Sequence, residues 1–195
     1  GRVAGLSRCR PGPRGPEIFA AGTAGLFEVR GGRASLVPRS PLHATAVVEL
    51  GVTLLVGSFD EGLALLDGGA REAVPVPGRV TLLHRGPGSA VLIGSDRGLF
   101  VWRPARAPLR VPVDGPPPGP VTALSLDGDA IWAGTFDAGL ARLRGATWEQ
   151  VPVFDPRITS LHRDRAGNLW VGTASGLGRL VAGRVVRVPD ARGWL

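Results

Sequence analysis

Apolar positions along this chain come in short bursts. No uninterrupted apolar run exceeds about five residues, far short of the roughly 18 that span a bilayer. Glycine, proline, aspartate or asparagine separates one burst from the next. No window sustains the i, i+3, i+4 spacing of an amphipathic helix. Short apolar runs with a turn signal about every 8 to 12 residues predict short β-strands joined by tight turns.

The bursts repeat. AAGTAGLFEV (20–29), LLVGSFDEGLALL (54–66), VLIGSDRGLFVW (91–102), IWAGTFDAGLARL (131–143) and LWVGTASGLGRL (169–180) share one pattern. An apolar pair or triplet is followed by Gly, by Ser or Thr, by a short polar stretch, and then by Gly and usually Leu. The first glycines, Gly22, Gly57, Gly94, Gly134 and Gly172, lie 35, 37, 40 and 38 residues apart. Each copy has an upstream run: RVAGLS (2–7), ATAVVE (44–49), RVTLLH (79–84), PVTALS (120–125) and RITSLH (157–162). Each also has a downstream run, such as RASLVP (33–38), EAVPVP (72–77) or RVVRVP (184–189). Four strands in about 40 residues, repeated, is the signature of a propeller blade. The expected fold is therefore all-β: a β-propeller of four-stranded antiparallel blades, five in this chain, over approximately 2–38, 44–77, 79–113, 120–153 and 157–189.

The glycines then have a mechanical role. Gly-Ser/Thr ends the second strand and Gly-Leu begins the third, so the two glycines bracket a hairpin whose backbone needs positive φ. Asp164 to Asn168 reads as the turn between first and second strands, after which Leu169, Trp170 and Val171 enter a strand buried between blades. A phosphate-binding loop would have to open a helix. Here the glycines open another strand, and the chain has no Lys for a Walker motif.

Composition adds constraints. The 195 residues carry 23 basic and 16 acidic groups, a net charge of +7, and every basic residue is Arg. A nucleic-acid binder would cluster its arginines among stacking aromatics; these are scattered and aromatics are 6%, so no nucleic-acid partner is expected. No transmembrane helix and no basic-then-apolar leader is visible, so this segment is not expected to insert in a membrane. The single Cys9 excludes an internal disulfide and a cysteine zinc cluster; it is expected to be a small buried hydrophobe. The chain opens at Gly1 and has no Met, which reads as a piece of a longer protein.

The fifth copy, ITSLHRDRAGNLWVGTASGL (158–177), resembles the two-component regulator propeller repeat: a hydrophobic strand, Asp, Gly-Asn-Leu-Trp, a hydrophobic residue, Gly-Thr, then Gly-Leu. The fourth keeps Ile131 to Thr135 and Gly139-Leu140, and the first three are degenerate. The resemblance implies a sensor module, periplasmic or extracellular, in a bacterial membrane-bound regulator. It implies a small-molecule or oligosaccharide signal and downstream kinase or regulator domains in the full-length protein. Family propellers usually have more than five blades. Asp190-Ala-Arg192 resembles Asp155-Pro-Arg157, so 190–195 reads as the start of a further blade. Part of a larger propeller is preferred to a closed five-bladed ring.

Ligands of propellers usually seat on the loops joining second to third strands and on the links between blades. Here those segments hold Phe59-Asp60-Glu61, Asp96-Arg97, Phe136-Asp137 and Ala174-Ser175, with Arg39, His43, Asp155 and Arg157 from the links. SFDEG and TFDAG each set a Phe beside a carboxylate, which suits a sugar or a cationic group. The candidate ligand-binding residues are Phe59, Asp60, Glu61, Asp96, Arg97, Phe136, Asp137 and Arg157. The bland alternative has Asp60 and Asp137 bonding their own turns while the Phe rings pack between blades. His84 and His162 occupy one blade position, with Glu49 and Ser125 aligned to them; a solvated strand end explains them better than a metal or acid/base role. Arg157, Arg163, Arg165, Arg179, Arg184 and Arg187 fall on different strands and loops, as a solvated exterior would have them. No catalytic residue, cofactor or metal is expected. The leading reading is a non-catalytic ligand-sensing module; a propeller lyase or glycosidase and a protein-interaction platform are the alternatives, and fold alone does not choose among them.

Overall fold

The computed structural model describes residues 3–6, 10–12, 15–104, 109–110 and 119–189. Cys9 and the 190–195 segment lie outside them. The described residues are all-β and form five antiparallel sheets. Two compact units divide the chain, Gly1–Val111 and Pro112–Leu195.

Unit one holds three blades. The first contains β1 (Val3–Leu6), β2 (Arg10–Gly12), β3 (Gly15–Gly22), β4 (Gly25–Arg30) and β5 (Arg33–Leu36). The second contains β6 (Ala44–Leu50), β7 (Thr53–Ser58), β8 (Gly62–Asp67) and β9 (Ala70–Val74), and the third β10 (Val80–Arg85), β11 (Val91–Ser95), β12 (Gly98–Trp102) and β13 (Leu109–Arg110). Unit two holds a fourth blade of β14 (Val121–Asp127), β15 (Ala130–Thr135), β16 (Leu140–Arg144) and β17 (Thr147–Val151). Its fifth blade is β18 (Ile158–Arg163), β19 (Leu169–Thr173), β20 (Gly176–Val181) and β21 (Arg184–Arg187). Each blade is an up-and-down meander in chain order. The first departs from four strands because β2 pairs with the start of an eight-residue β3, Gly12 opposite Gly15 and Arg10 opposite Glu17.

Cores lie between neighbouring sheets. Phe19, Leu26, Val47, Val56 and Leu66 form one between the first two blades. Val48, Leu55, Val80, Ile93 and Phe100 form the next. In unit two, Trp132, Leu140, Ile158, Val171 and Val185 join the fourth blade to the fifth. A second strand covered on both faces needs apolar residues at nearly every position. That is why TLLV, VLI and AIWA read as continuous runs rather than alternating ones, and β11 is buried throughout. In β19 Leu169 and Val171 are buried but Trp170 is half-exposed, so LWV is not buried on both faces among the described residues.

The two glycines of each copy turn out to have different jobs. The second, Gly25, Gly62, Gly98, Gly139 and Gly176, has positive φ and opens the third strand as expected. The first does not belong to the positive-φ set, and its role is space. A Cβ on Gly57 would lie 2.5 Å from Val80 Cγ1, and one on Gly134 would lie 2.4 Å from Ile158 Cγ2. Gly57 and Gly134 are thus the seats into which the next blade's first β-branched residue packs, whereas a Cβ on Gly94 or Gly172 would meet its own blade's first strand, Leu82 Cγ at 2.8 Å or Ser160 Oγ at 2.3 Å. Beside this glycine position, every first strand is bulged at its second residue, which is Ala4 in the first blade and a threonine in the other four. Thr45 Oγ1 donates to the Val80 carbonyl at 2.8 Å and Thr122 Oγ1 to the Ile158 carbonyl at 2.6 Å.

That threonine column also corrects an alignment. Thr45 corresponds to Thr81, Thr122 and Thr159, so the buried Val48, not Glu49, shares the position of His84, Ser125 and His162. Among the described residues no group of three His, Cys, Asp or Glu is placed to hold a metal.

Candidate functional site

The turn between second and third strands is built the same way in four copies. Its first residue donates its N–H to the carbonyl just before its own blade's first strand. Phe59 bonds His43 at 3.0 Å, Asp96 bonds Arg79 at 3.2 Å, Phe136 bonds Pro120 at 3.3 Å, and Ala174 bonds Arg157 at 2.9 Å. The preceding Ser58, Ser95, Thr135 and Thr173 are all buried. Their hydroxyls accept the turn's own N–H groups: Asp60 and Glu61 at 3.2 Å, Arg97 at 3.0 Å, Ala138 at 2.9 Å and Ser175 at 3.3 Å. A buried hydroxyl doing this work satisfies its own desolvated oxygen and fixes the turn. Turn and inter-blade link are therefore hydrogen-bonded into one rim in each of these four blades.

With the hydroxyl closing the turn, the variable residues are released for other contacts. The Asp60 carboxylate does not bond its own turn N–H groups. It meets His43 Nδ1 in a side-chain hydrogen bond, both side chains about half exposed. His43 has a left-handed backbone, φ 47°, a conformation that costs a non-glycine residue of order 1–2 kcal/mol. It is held there by its N–H on Thr23 O at 3.1 Å and its carbonyl on Phe59. Phe59 is 44% exposed, and the Arg79 guanidinium lies 4.5 Å from its ring centroid. Ala4, Thr23, His43, Ala44, Thr45, Phe59 and Asp60 enclose a mainly apolar cleft of about 390 Å³ in unit one.

The remaining candidates divide between brace and surface. Both oxygens of Glu61 are engaged, by Leu42 N at 2.8 Å and Arg71 at 2.5 Å, and the Arg71 bond holds its carboxyl below the ordinary range. Asp96 accepts Arg79 N at 2.8 Å, and with Arg97 it packs on Gly78, whose φ is 81°. Asp137 packs on Gly119 in the same way, and Phe136 is 54% exposed. Arg39 reaches the Gly69 carbonyl at 2.9 Å, at the turn between third and fourth strands, and so does not line the cleft. Arg157 chelates Asp155 through Nε at 3.1 Å and a terminal nitrogen at 3.0 Å. His84 Nδ1 lies 2.8 Å from the Arg85 carbonyl at the strand end.

The sequence reading missed Phe154, which stacks under Arg187 at 4.9 Å. The signal was present as a third Phe-Asp pair in VFDPR, but it sits in a link rather than a turn.

In the fifth blade the Asp164 turn forms as expected. Trp170 Nε1 donates to Asp164 at 2.9 Å, and Asn168 donates through its amide at 2.8 Å and its backbone at 2.9 Å. These donors, Trp170 first, lower the Asp164 pKa from its ordinary 3.8 to about 2. A depressed carboxyl contributes stability above its unfolded pKa and loses it as pH falls through the folded value. Trp170→Phe should therefore move the Asp164 titration midpoint, followed by carboxyl-carbon NMR, upward from about 2 toward 3.8. In the fourth blade, where Ser125 and Trp132 pair across a turn one residue shorter than that between His162 and Trp170, Trp132 Nε1 has no such acceptor, and Asp127 pairs with Arg163 instead.

Residues 152–175 match the two-component regulator propeller family model. In structure the chain is similar to the extracellular domains of two proteins named as hybrid two-component systems of B. thetaiotaomicron. For one the TM-score is 0.80 at 18% identity, over 99% of this chain and 28% of that one. For the other it is 0.77 at 14% identity, over 96% and 29%. It is also similar to a catalytically inactive virginiamycin B lyase from Staphylococcus aureus, at TM-score 0.74 and 13% identity, over 99% of this chain and 72% of that one. The chain spans under a third of the length of these two extracellular domains. No curated protein matches it in sequence. Likeness at these identities establishes the propeller fold, which both sensor domains and a lyase share.

Proposed function

We propose that this chain, with a two-component regulator propeller repeat at 152–175, is a non-catalytic sensing module of a bacterial regulator. On this reading it lies outside the cytoplasm, as part of a larger propeller coupled to downstream kinase or regulator domains. The likeness to extracellular domains of two-component proteins supports that context. Its signal is a small molecule or oligosaccharide.

One observation carries the ligand part: the cleft of about 390 Å³ with Phe59 and the His43–Asp60 pair in its wall. Arg79 covers part of the Phe59 ring, and the exposed remainder offers an apolar face to the C–H side of a sugar ring. Asp60, turned out of its own loop, supplies acceptors for hydroxyl groups. The rim is fixed before binding, so little ordering entropy opposes capture. Calorimetric titration of the chain with a panel of neutral and acidic oligosaccharides tests this. Phe59→Ala combined with Asp60→Asn should weaken the best ligand by at least about thirtyfold, from a lost stacking contact and a lost charge-assisted hydrogen bond. Unchanged affinity in a folded double variant would remove the cleft from the account.

A further inference from the structure

A second cluster lies in unit two, on the link into the fifth blade, and it has the opposite polarity. In the cleft of unit one the carboxylate Asp60 is about half exposed. Here the carboxylate is inside: Asp155 is 4% exposed, while the Arg157 side chain that chelates it is 53% exposed. Arg157 N also donates to Asp155 Oδ1 at 3.0 Å, so acid and base are held from both backbone and side chain. The turn that carries Ser175 is tied to the same link, Ala174 N donating to the Arg157 carbonyl at 2.9 Å. Arg187 completes the chain of contacts, donating to Ser175 O at 2.7 Å and Ser175 Oγ at 3.1 Å.

Arg187 is positioned from beneath by Phe154. That ring has a seat because the fifth blade carries Gly178 where the second, third and fourth carry Ala64, Phe100 and Ala141. A Cβ on Gly178 would lie 2.7 Å from Phe154 Cε1. Like the first blade's Thr23-Ala24, the fifth blade's turn carries no acid, Ala174-Ser175 standing where the second, third and fourth blades have Asp60, Asp96 and Asp137. Two guanidiniums thus share one hydrogen-bonded network with a single buried carboxylate. Each carries five N–H donors, more than these contacts use.

We infer that Arg157, chelating Asp155, and Arg187, held by Ser175 of the turn that bonds the Arg157 carbonyl, form a recognition site for a small oxyanion: a carboxylate, sulfate or phosphate. Neutralising Asp155 takes one arginine. The second, stacked and hydrogen-bonded in place, leaves an excess positive charge with its donors pre-oriented, which is the arrangement that planar and tetrahedral oxyanions select. This site is separate from the cleft of unit one and does not depend on the sensing proposal.

The test is titration of the whole chain with sodium sulfate, sodium phosphate and galacturonate, with galactose as the neutral arm, at low ionic strength. Arg187→Gln is the informative variant, because replacing Arg157 would leave Asp155 buried without its partner. At least one of the three anions should bind saturably, galactose should not bind this site, and Arg187→Gln should weaken the anion roughly tenfold or more with the circular dichroism unchanged. The anion bound most tightly identifies the group. Arg144→Gln, which removes an exposed charge elsewhere in unit two, should change affinity less than about twofold. No saturable binding of any of the three, or an equal loss in Arg144→Gln, would overturn the inference.

Discussion

Gly134→Ala is expected to destabilise unit two by about 2–3 kcal/mol, lowering its melting temperature by roughly 10–20 °C. The added methyl would meet Ile158 Cγ2 at 2.4 Å and Ile158 Cβ at 2.9 Å. Ile158 is fully buried and anchored by its carbonyl to Thr122, so it has no solvent-facing rotamer to retreat into. Gly134 sits in β15, outside the set of positive-φ glycines, and the penalty comes from contact rather than from backbone strain. Gly145→Ala distinguishes the two causes. Gly145 has φ 61° and open space around its Cβ position, so its cost is conformational and smaller, about 1 kcal/mol. Thermal unfolding of both variants checks the order.

Ile158→Ala is expected to cost more, about 3–4 kcal/mol, because it empties the centre of the core between the fourth and fifth blades. In the double variant, Gly134→Ala with Ile158→Ala, the new methyl would occupy part of the space the isoleucine leaves. The two effects should therefore fall short of additive by about 1 kcal/mol or more. Full additivity in denaturant unfolding would mean that the glycine does not serve as the seat of the isoleucine. The same logic applies to Gly57 and Val80 in unit one, where the approach is 2.5 Å.

The repeat was legible because its information is local. A buried hydroxyl, a positive-φ glycine and a continuous apolar strand each leave a fixed residue type at a fixed spacing. What lay outside local reach was direction. The first glycine was read as part of the hairpin because it adjoins the turn, but at Gly57 and Gly134 its constraint comes from Val80 or Ile158, more than 20 residues away in sequence. Glu49 was matched to His84 and His162 by counting from the start of ATAVVE; the threonines that bond the next blade would have set the register one residue earlier. Asp60 was weighed as a turn acceptor, yet Ser58 already fills that role and frees it for His43. The left-handed His43 has no signature in its own neighbourhood, and the Phe-Asp pair in VFDPR marks Phe154 without placing its ring beneath Arg187, 33 residues further on.

Under the proposed function, ligand recognition falls to the residues that vary between copies, and the repeated glycines serve the backbone. Amide shift mapping by 15N NMR, on adding the tightest oligosaccharide from the titration panel, tests this most directly. The largest shifts should fall on Thr23, His43 to Thr45, and Phe59-Asp60, the lining of the unit-one cleft. Shifts centred instead on Gly51-Val52 and Gly68-Gly69, at the turns of the second blade that lie at the other ends of its strands, with the cleft amides unmoved, would contradict it.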